Sequence, residues 1–254
     1  MHRSRLFLLI LLSVICCTFS SCTTYNAATG RNEFIYISAS EEVSMGKNLH
    51  AQISREYKLS KDQALIERVE RIGRRVAQVS DRQDYMYNFY VIEKDELNAF
   101  TVPGGSVYIF TGLVNKLQSD DQVASVLAHE IGHCAAKHTV KKFQAALGYD
   151  LIARLILSRV DPGAQSVANL SSGLIMNIVF SAYGRKDEYE ADKLGVKYLY
   201  LAGYNPQASM ESLEVLLKES KGPTIPTILR SHPHLEDRIR ELQTEIDLIK
   251  YKYK

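Results

Sequence analysis

Five consecutive residues, His129-Glu130-Ile131-Gly132-His133, constrain this 254-residue chain more than any other segment. On a helix, imidazoles at i and i+4 project from one face, so their nitrogens can reach one cation. Glu130 is offset enough to address a water on that cation. Zinc in such a site brings the pKa of water from about 15.7 toward ~7, and the carboxylate takes the proton as hydroxide attacks a polarised peptide carbonyl. The surroundings favour a helix. Ser119-Asp120-Asp121-Gln122 has the form of a capping box, and Val123, Val126, Leu127 and Ile131 supply an apolar stripe behind the histidines.

Catalytic zinc takes three protein ligands and keeps one position open, so a third ligand is required. Glu188 is the candidate, in Arg185-Lys186-Asp187-Glu188-Tyr189-Glu190-Ala191-Asp192. It lies 55 positions past His133 (188 − 133), enough for a second helix to return antiparallel to the first. Glu188 and Asp192 then share a face, so that Glu188 completes the site and Asp192 accepts the free ring N–H of His129, fixing its tautomer. Glu190 points elsewhere, and both it and Asp187 read as solvated helix carboxylates.

H-E-x-x-H followed by E-x-E-A-D resembles the HtpX and BepA type of gluzincin metallopeptidase, relatives of the CAAX prenyl proteases. The segment Asn98-Ala99-Phe100-Thr101-Val102-Pro103-Gly104-Gly105 is similar to the family's N-A-F-x-x-P-G-G, which runs into a strand just ahead of the active helix. Ser231-His232-Pro233, followed by Arg238-Ile239, resembles its late H-P motif before a C-terminal helix. Together these motifs span residues 39–248. The resemblance implies an α+β, mainly α-helical, zincin-like fold with a small β-sheet beside the active-site helix. It also implies one Zn²⁺ per chain, with Glu130 as general base. For His232 it leaves two roles open. The ring either hydrogen-bonds the oxyanion or substrate, or swings in as a fourth metal ligand that blocks the water position and makes the enzyme latent.

The extended pattern H-E-x-x-H-x-x-G-x-x-H would need Gly at position 136 and His at 139, but the chain has Ala136 and Thr139. His138 is therefore read as a packing or hydrogen-bonding residue. Cys134 is turned about 100° from His133 on the helix and reads as a small buried hydrophobe. His234 reads as a surface-loop histidine.

Residues 1–21 have the form of a signal peptide: Arg3 and Arg5, an apolar run over 6–15, then small polar residues ending Phe19-Ser20-Ser21-Cys22. Cys22 resembles the lipidation site of a bacterial lipobox, with Phe19 in place of the usual Leu. An uncleaved anchor is the alternative. Thr29-Gly30-Arg31 shortly before Ile37-Ser38 is similar to the start of lipoprotein members of the family. Thr23 is not a retention Asp, which by resemblance favours the outer membrane, facing the periplasm. The expected organisation is a signal peptide (1–21), a lipidated tether (22–38) and one metallopeptidase domain (39–254). Losing residues 1–21 removes Arg3 and Arg5 and takes the formal charge from +2 to 0 (2 − 2), which gives no indication of nucleic-acid binding. Cys16 and Cys17 leave with the signal and Cys22 takes lipid, so Cys134 has no intrachain partner.

Helical spacing is expected over 40–57 and 60–79, with Ser60-Lys61-Asp62-Gln63 opening the second. Strands are expected over 85–93 and 107–110, the latter after a Pro103-Gly104-Gly105 turn. Edge strands beside zincin clefts bind extended peptides by strand addition. Residues 98–106 are expected along that cleft, with Asn98, Gly104 and Gly105 as substrate-binding positions. Apolar helical segments at 143–160 and 167–180, separated by Asp161-Pro162-Gly163, are each too short to span a bilayer. They form either a buried hairpin over the site or a mobile lid resting on the membrane. A last helix covers 234–250.

The expected function is a zinc endopeptidase of the bacterial envelope acting on misfolded or unassembled polypeptides, with outer-membrane assembly machinery as a candidate partner. The alternative is an assembly or chaperone-like factor whose proteolysis is latent or secondary.

Overall fold

The computed structural model describes residues 23–157, 172–222 and 225–252. Cys22, the signal segment and the Asp161-Pro162-Gly163 break lie outside the described residues.

A three-stranded sheet organises the fold. It comprises β3 (Asn88–Ile92), β4 (Ala99–Val102) and β5 (Ser106–Phe110) in the order β3-β5-β4. β3 runs parallel to β5 and β4 antiparallel to it, Val102 pairing with Ser106. Because side chains alternate along a strand, each face of this sheet supports its own core. Phe89, Val91, Ala99, Val107 and Ile109 face one cluster, whereas Ile92, Phe100, Val102, Tyr108 and Phe110 face the other.

Helix α1 (Ala39–Glu56) opens with a capping box: Ser38 Oγ accepts from Glu41 N, and Glu41 Oε2 accepts from Ser38 N. Helix α2 (Gln63–Ala77) is capped by Asp62, whose Oδ1 accepts from Leu65 N, rather than by the expected Ser60. After α3 (Thr111–Lys116) comes α4 (Asp120–Ala135), which carries the H-E-x-x-H motif. Its Ser119 Oγ accepts from Gln122 N, but Gln122 Oε1 accepts from Gln118 N instead of completing the box. The remaining helices are α5 (His138–Leu157), α6 (Ser172–Val179), α7 (Arg185–Leu201), α8 (Ala208–Glu219), α9 (Ile228–Ser231) and α10 (Leu235–Lys252). No described helix is long and apolar enough to cross a membrane.

Two glycines let α4 and α7 approach closely. A Cβ on Gly132 would meet Ala191 O at 2.7 Å, and one on Gly195 would meet His129 N at 3.3 Å. The glycine inside the H-E-x-x-H motif is thus what brings the helix of Glu188 against the helix of the two histidines.

The structure corrects the tether. Thr23–Asn26 (β1) and Arg31–Phe34 (β2) form an antiparallel hairpin, and Asn26, Glu33, Ile35 and Ile37 are buried. Lys141 Nζ donates to Glu33 Oε1 at 2.9 Å, while Gln144 accepts from Tyr36 N and donates to Phe34 O, stitching the segment to α5.

Candidate metal centre

His129 and His133 from α4, Glu188 from the first turn of α7 and His232 from the residue after α9 each bring a donor atom within 4.8 Å of the others. His129 Nε2 lies 3.0 Å from His133 Nε2 and 3.3 Å from His232 Nδ1. Glu188 Oε1 lies 3.0 Å from His232 Nδ1 and 3.5 Å from His133 Nε2, and Glu188 Oε2 lies 3.6 Å from His129 Nε2. A tetrahedron with arms of about 2.0–2.1 Å, the zinc–nitrogen and zinc–oxygen distances, has edges of about 3.3–3.4 Å, and the five separations bracket that value.

Charge balance supports the same ion. Glu130, Glu188 and Asp192 are buried together, with the Arg238 guanidinium between the last two and the Lys142 ammonium on the far side of Tyr183, so carboxylates outnumber the cations in a desolvated site. Burial pulls the His133 imidazole well below its ordinary value, so it offers a lone pair at neutral pH. At Glu188 burial alone would raise the carboxyl, but Arg238 and His232 outweigh it and hold it well below the usual range. A dication fits both the donors and the charge.

The surrounding side chains fix those donors. His129 Nδ1 lies 2.8 Å from Asp192 Oδ1, as the shared face of Glu188 and Asp192 anticipates. Arg238 clamps Asp192 in fork geometry, Nη2 to Oδ1 at 2.6 Å and Nε to Oδ2 at 2.7 Å, and its Nη1 reaches Glu188 Oε2 at 2.5 Å. One buried cation from α10 therefore ties both α7 carboxylates together. On the other side His133 Nδ1 lies 3.0 Å from His138 Nδ1, and His138 Nε2 lies 3.2 Å from Glu190 Oε2. With Nε2 of His133 aimed into the cluster, its Nδ1–H donates to His138, whose own Nε2–H donates to Glu190. Arg31 of the hairpin donates to the same carboxylate oxygen at 2.8 Å. Tyr183 stacks on His133 with ring centroids 3.8 Å apart, and Lys142 Nζ sits 3.7 Å over the Tyr183 ring.

Glu130 is buried, and its Oε2 has no hydrogen-bond partner among the described residues, so its second lone-pair face is free for a water. A cavity of about 40 Å³ opens beside it, lined by Val126, Ser125, Ser212, Leu213 and Ile228.

Several sequence readings change here. Glu190 is not a solvated carboxylate: it closes the His133–His138 chain. Asp187 accepts from Gly184 N at the start of α7 and stands 3.5 Å from His138. Gly104 and Gly105 occupy the turn between β4 and β5. Both have φ near +80°, and a Cβ on Gly104 would sit 2.9 Å from Glu42 O, one on Gly105 2.5 Å from the Tyr85 ring, so they serve a tight turn packed on α1. Asn98 is buried with both side-chain polar atoms unpartnered among the described residues. Every residue of β4, the edge strand, is buried, with Phe180 packed edge-on against Phe100 at 5.3 Å. Cys134 is buried against Thr101 Oγ1 at 2.9 Å, and burial pushes its thiol up to about 12. Arg238, His138, Tyr183 and Lys142 received no site role from the sequence. Only the position of Arg238 in the late motif pointed toward the site.

Two histidines and a glutamate converging for one zinc, with a second glutamate left free beside them, is metallopeptidase chemistry, and a glutamate ligand from a later helix makes the site gluzincin in type. The chain belongs to peptidase family M48, which residues 63–246 match. It is 27% identical over 217 residues to the beta-barrel assembly-enhancing protease of Escherichia coli (strain K12), covering 81% of this chain and 44% of that protein. It is 32% identical over 166 residues to the mitochondrial metalloendopeptidase OMA1 of Arabidopsis thaliana, covering 65% of this chain and 33% of that one. Against the OMA1 of Schizosaccharomyces pombe it is 28% identical over 224 residues, covering 86% and 65%. The chain spans less than half the length of the bacterial relatives it matches.

Proposed function

We propose that this chain is a zinc endopeptidase of the bacterial envelope, anchored through lipid on Cys22 and facing the periplasm, that cleaves misfolded or unassembled envelope proteins. The observation that carries this reading is the near-tetrahedral spacing of His129, His133, Glu188 and His232 with Glu130 beside them. Bound zinc supplies a Lewis acid that polarises the scissile carbonyl and acidifies water. Glu130 then takes the proton of the attacking water and delivers it to the leaving amine. The cavity bounded by Val126 and Leu213 receives a small side chain next to the scissile bond. Relatives named beta-barrel assembly-enhancing proteases favour unassembled outer-membrane proteins as the substrate class.

His232 acts as the fourth donor of a latent resting state. One ring nitrogen stands among the donor atoms of His129 and Glu188 while the other faces Glu130 Oε1 at 3.6 Å, so His232 would join the residues holding zinc and would keep a water from Glu130. The buried state of β4 fits the same reading, since strand addition requires that edge to be uncovered. Cleavage of casein and of an unfolded outer-membrane protein, before and after chelation, tests the activity. Glu130→Gln abolishes it with zinc retained, whereas His232→Ala raises it. A fall in turnover with His232→Ala would restore the oxyanion role instead.

A further inference from the structure

The β1–β2 hairpin has two unlike faces. Its antiparallel register sets Tyr25 opposite Asn32 and Thr23 opposite Phe34, and the alternation continues to Tyr36. One side carries Asn26, Glu33, Ile35 and Ile37, buried against the body, with Thr24 and Arg31 exposed at its margin. The other carries Thr23, Tyr25, Asn32, Phe34 and Tyr36, all exposed and none charged. Tyr25, Phe34 and Tyr36 expose 65%, 57% and 52% of their surface. Phe34 and Tyr36 meet edge-on at 6.2 Å, and the Tyr36 hydroxyl donates to Gln144 O, which ties one edge of its ring to α5 while about half of its surface stays exposed.

We propose that this aromatic face seats in the interfacial layer of a lipid bilayer. Three adjacent exposed rings without a single charge form a patch that water disfavours and that the carbonyl–headgroup zone suits, because Tyr places an apolar ring inward and its hydroxyl at the polar boundary. The preceding chain supplies the membrane. The apolar run over residues 6–15 ends ten positions before Tyr25, and Cys22 stands three before it. At about 3.3–3.6 Å per residue, a lipid on Cys22 holds Tyr25 within about 10 Å of its attachment point. Whether anchored by lipid or by the uncleaved run, the hairpin is the described element that stands nearest that anchor along the chain. The inward face is committed to the body through buried Ile35 and Ile37 and the Lys141–Glu33 pair, so only the aromatic side can turn to the lipid. The inference rests on the membrane-anchored reading of the N-terminus.

The chain contains no tryptophan, so a single introduced indole reports its own depth without background. Tyr25→Trp, Phe34→Trp and, as a control, Glu214→Trp on the exposed side of α8 are made in the full chain. Each is incorporated into vesicles of phosphatidylethanolamine and phosphatidylglycerol carrying brominated acyl chains. Docking gives blue-shifted emission at positions 25 and 34, with quenching at least about twofold that of the control. Protein that floats with the vesicles but is quenched no more than the control overturns the docked face and leaves the anchor standing. Protein that does not float refutes both. A blue shift that appears without vesicles and grows with protein concentration assigns the patch to a second copy of the chain and likewise overturns the proposal.

Discussion

Asp192→Asn is the most exacting test of the site, because the substitution keeps the shape and removes only a charge and an acceptor. Asp192 Oδ1 faces both His129 Nδ1 at 2.8 Å and Arg238 Nη2 at 2.6 Å, and Oδ2 accepts from Arg238 Nε at 2.7 Å. An asparagine cannot satisfy this set in either amide orientation. With its oxygen toward His129, the amide NH₂ meets the Arg238 Nε–H; flipped, it meets the Nδ1–H of His129 and the Arg238 Nη2. The first orientation loses one buried hydrogen bond and the flipped one loses two, at about 1.5–3 kcal/mol for each bond to the guanidinium. The flipped orientation also favours the His129 tautomer that carries hydrogen on Nε2 and cannot bind metal. Removing the acceptor that orients a ligand histidine weakens metal binding by about 10–100-fold, or ~1.4–2.7 kcal/mol.

Zinc competition against a chromophoric chelator, with thermal melts of metal-free and zinc-loaded protein, measures both losses. Lys186→Gln, exposed on the same helix, is the control and leaves zinc affinity where it was. If Asp192→Asn bound zinc as tightly as the parent chain, Asp192 would not be fixing His129 and the ordering of the site would need another cause.

Other consequences are as direct. Gly132→Ala puts a methyl group against Ala191 O, forces α4 and α7 apart at about 1–3 kcal/mol, and weakens zinc as Glu188 withdraws from His133; an unaltered melt and zinc affinity would refute the close-approach argument. Glu190→Ala removes the oxygen that accepts from both His138 and Arg31, so zinc affinity falls by about two- to tenfold, readable by the same competition assay. Glu130→Gln lowers casein turnover by about 10²–10⁴-fold while zinc content by atomic absorption stays at one per chain. In chelator-treated protein the carboxyls of Glu188 and Asp192 titrate below their unfolded values, so their stabilisation is complete above the ordinary carboxylate range and is lost as pH falls through it. Urea midpoints should begin to fall below about pH 6.5, where the unfolded chain protonates His133 and His50 and the folded chain resists it, and fall more steeply below about pH 4.5 as the carboxylates follow. Arg238→Met removes a main charge opposing burial at both groups, so the acid-side drop should shrink.

What was legible in the sequence follows from how far each determinant reaches along the chain. His129 and His133 are set by one helix, and Glu188 with Asp192 by another, so periodicity alone orients each pair. The capping residues were nearly legible, missing by which neighbour the side chain chose: Asp62 over Ser60, and Gln118 N over Ser119 N for Gln122. The N-terminal hairpin was not legible, because its strands are four residues each and Phe34-Ile35-Tyr36-Ile37 is apolar on both faces. Only docking on Lys141 and Gln144 decides which pair goes inward. The groups that tune the site were least visible of all. Arg238 and Glu190 each look like ordinary exposed charges on amphipathic helices, and they become site residues only because α10 crosses α7 and the hairpin reaches Glu190. Local spacing therefore specifies which atoms bind the metal, whereas tertiary crossings specify how tightly those atoms are held. Substitutions at the crossings should change zinc affinity while leaving the H-E-x-x-H helix itself intact.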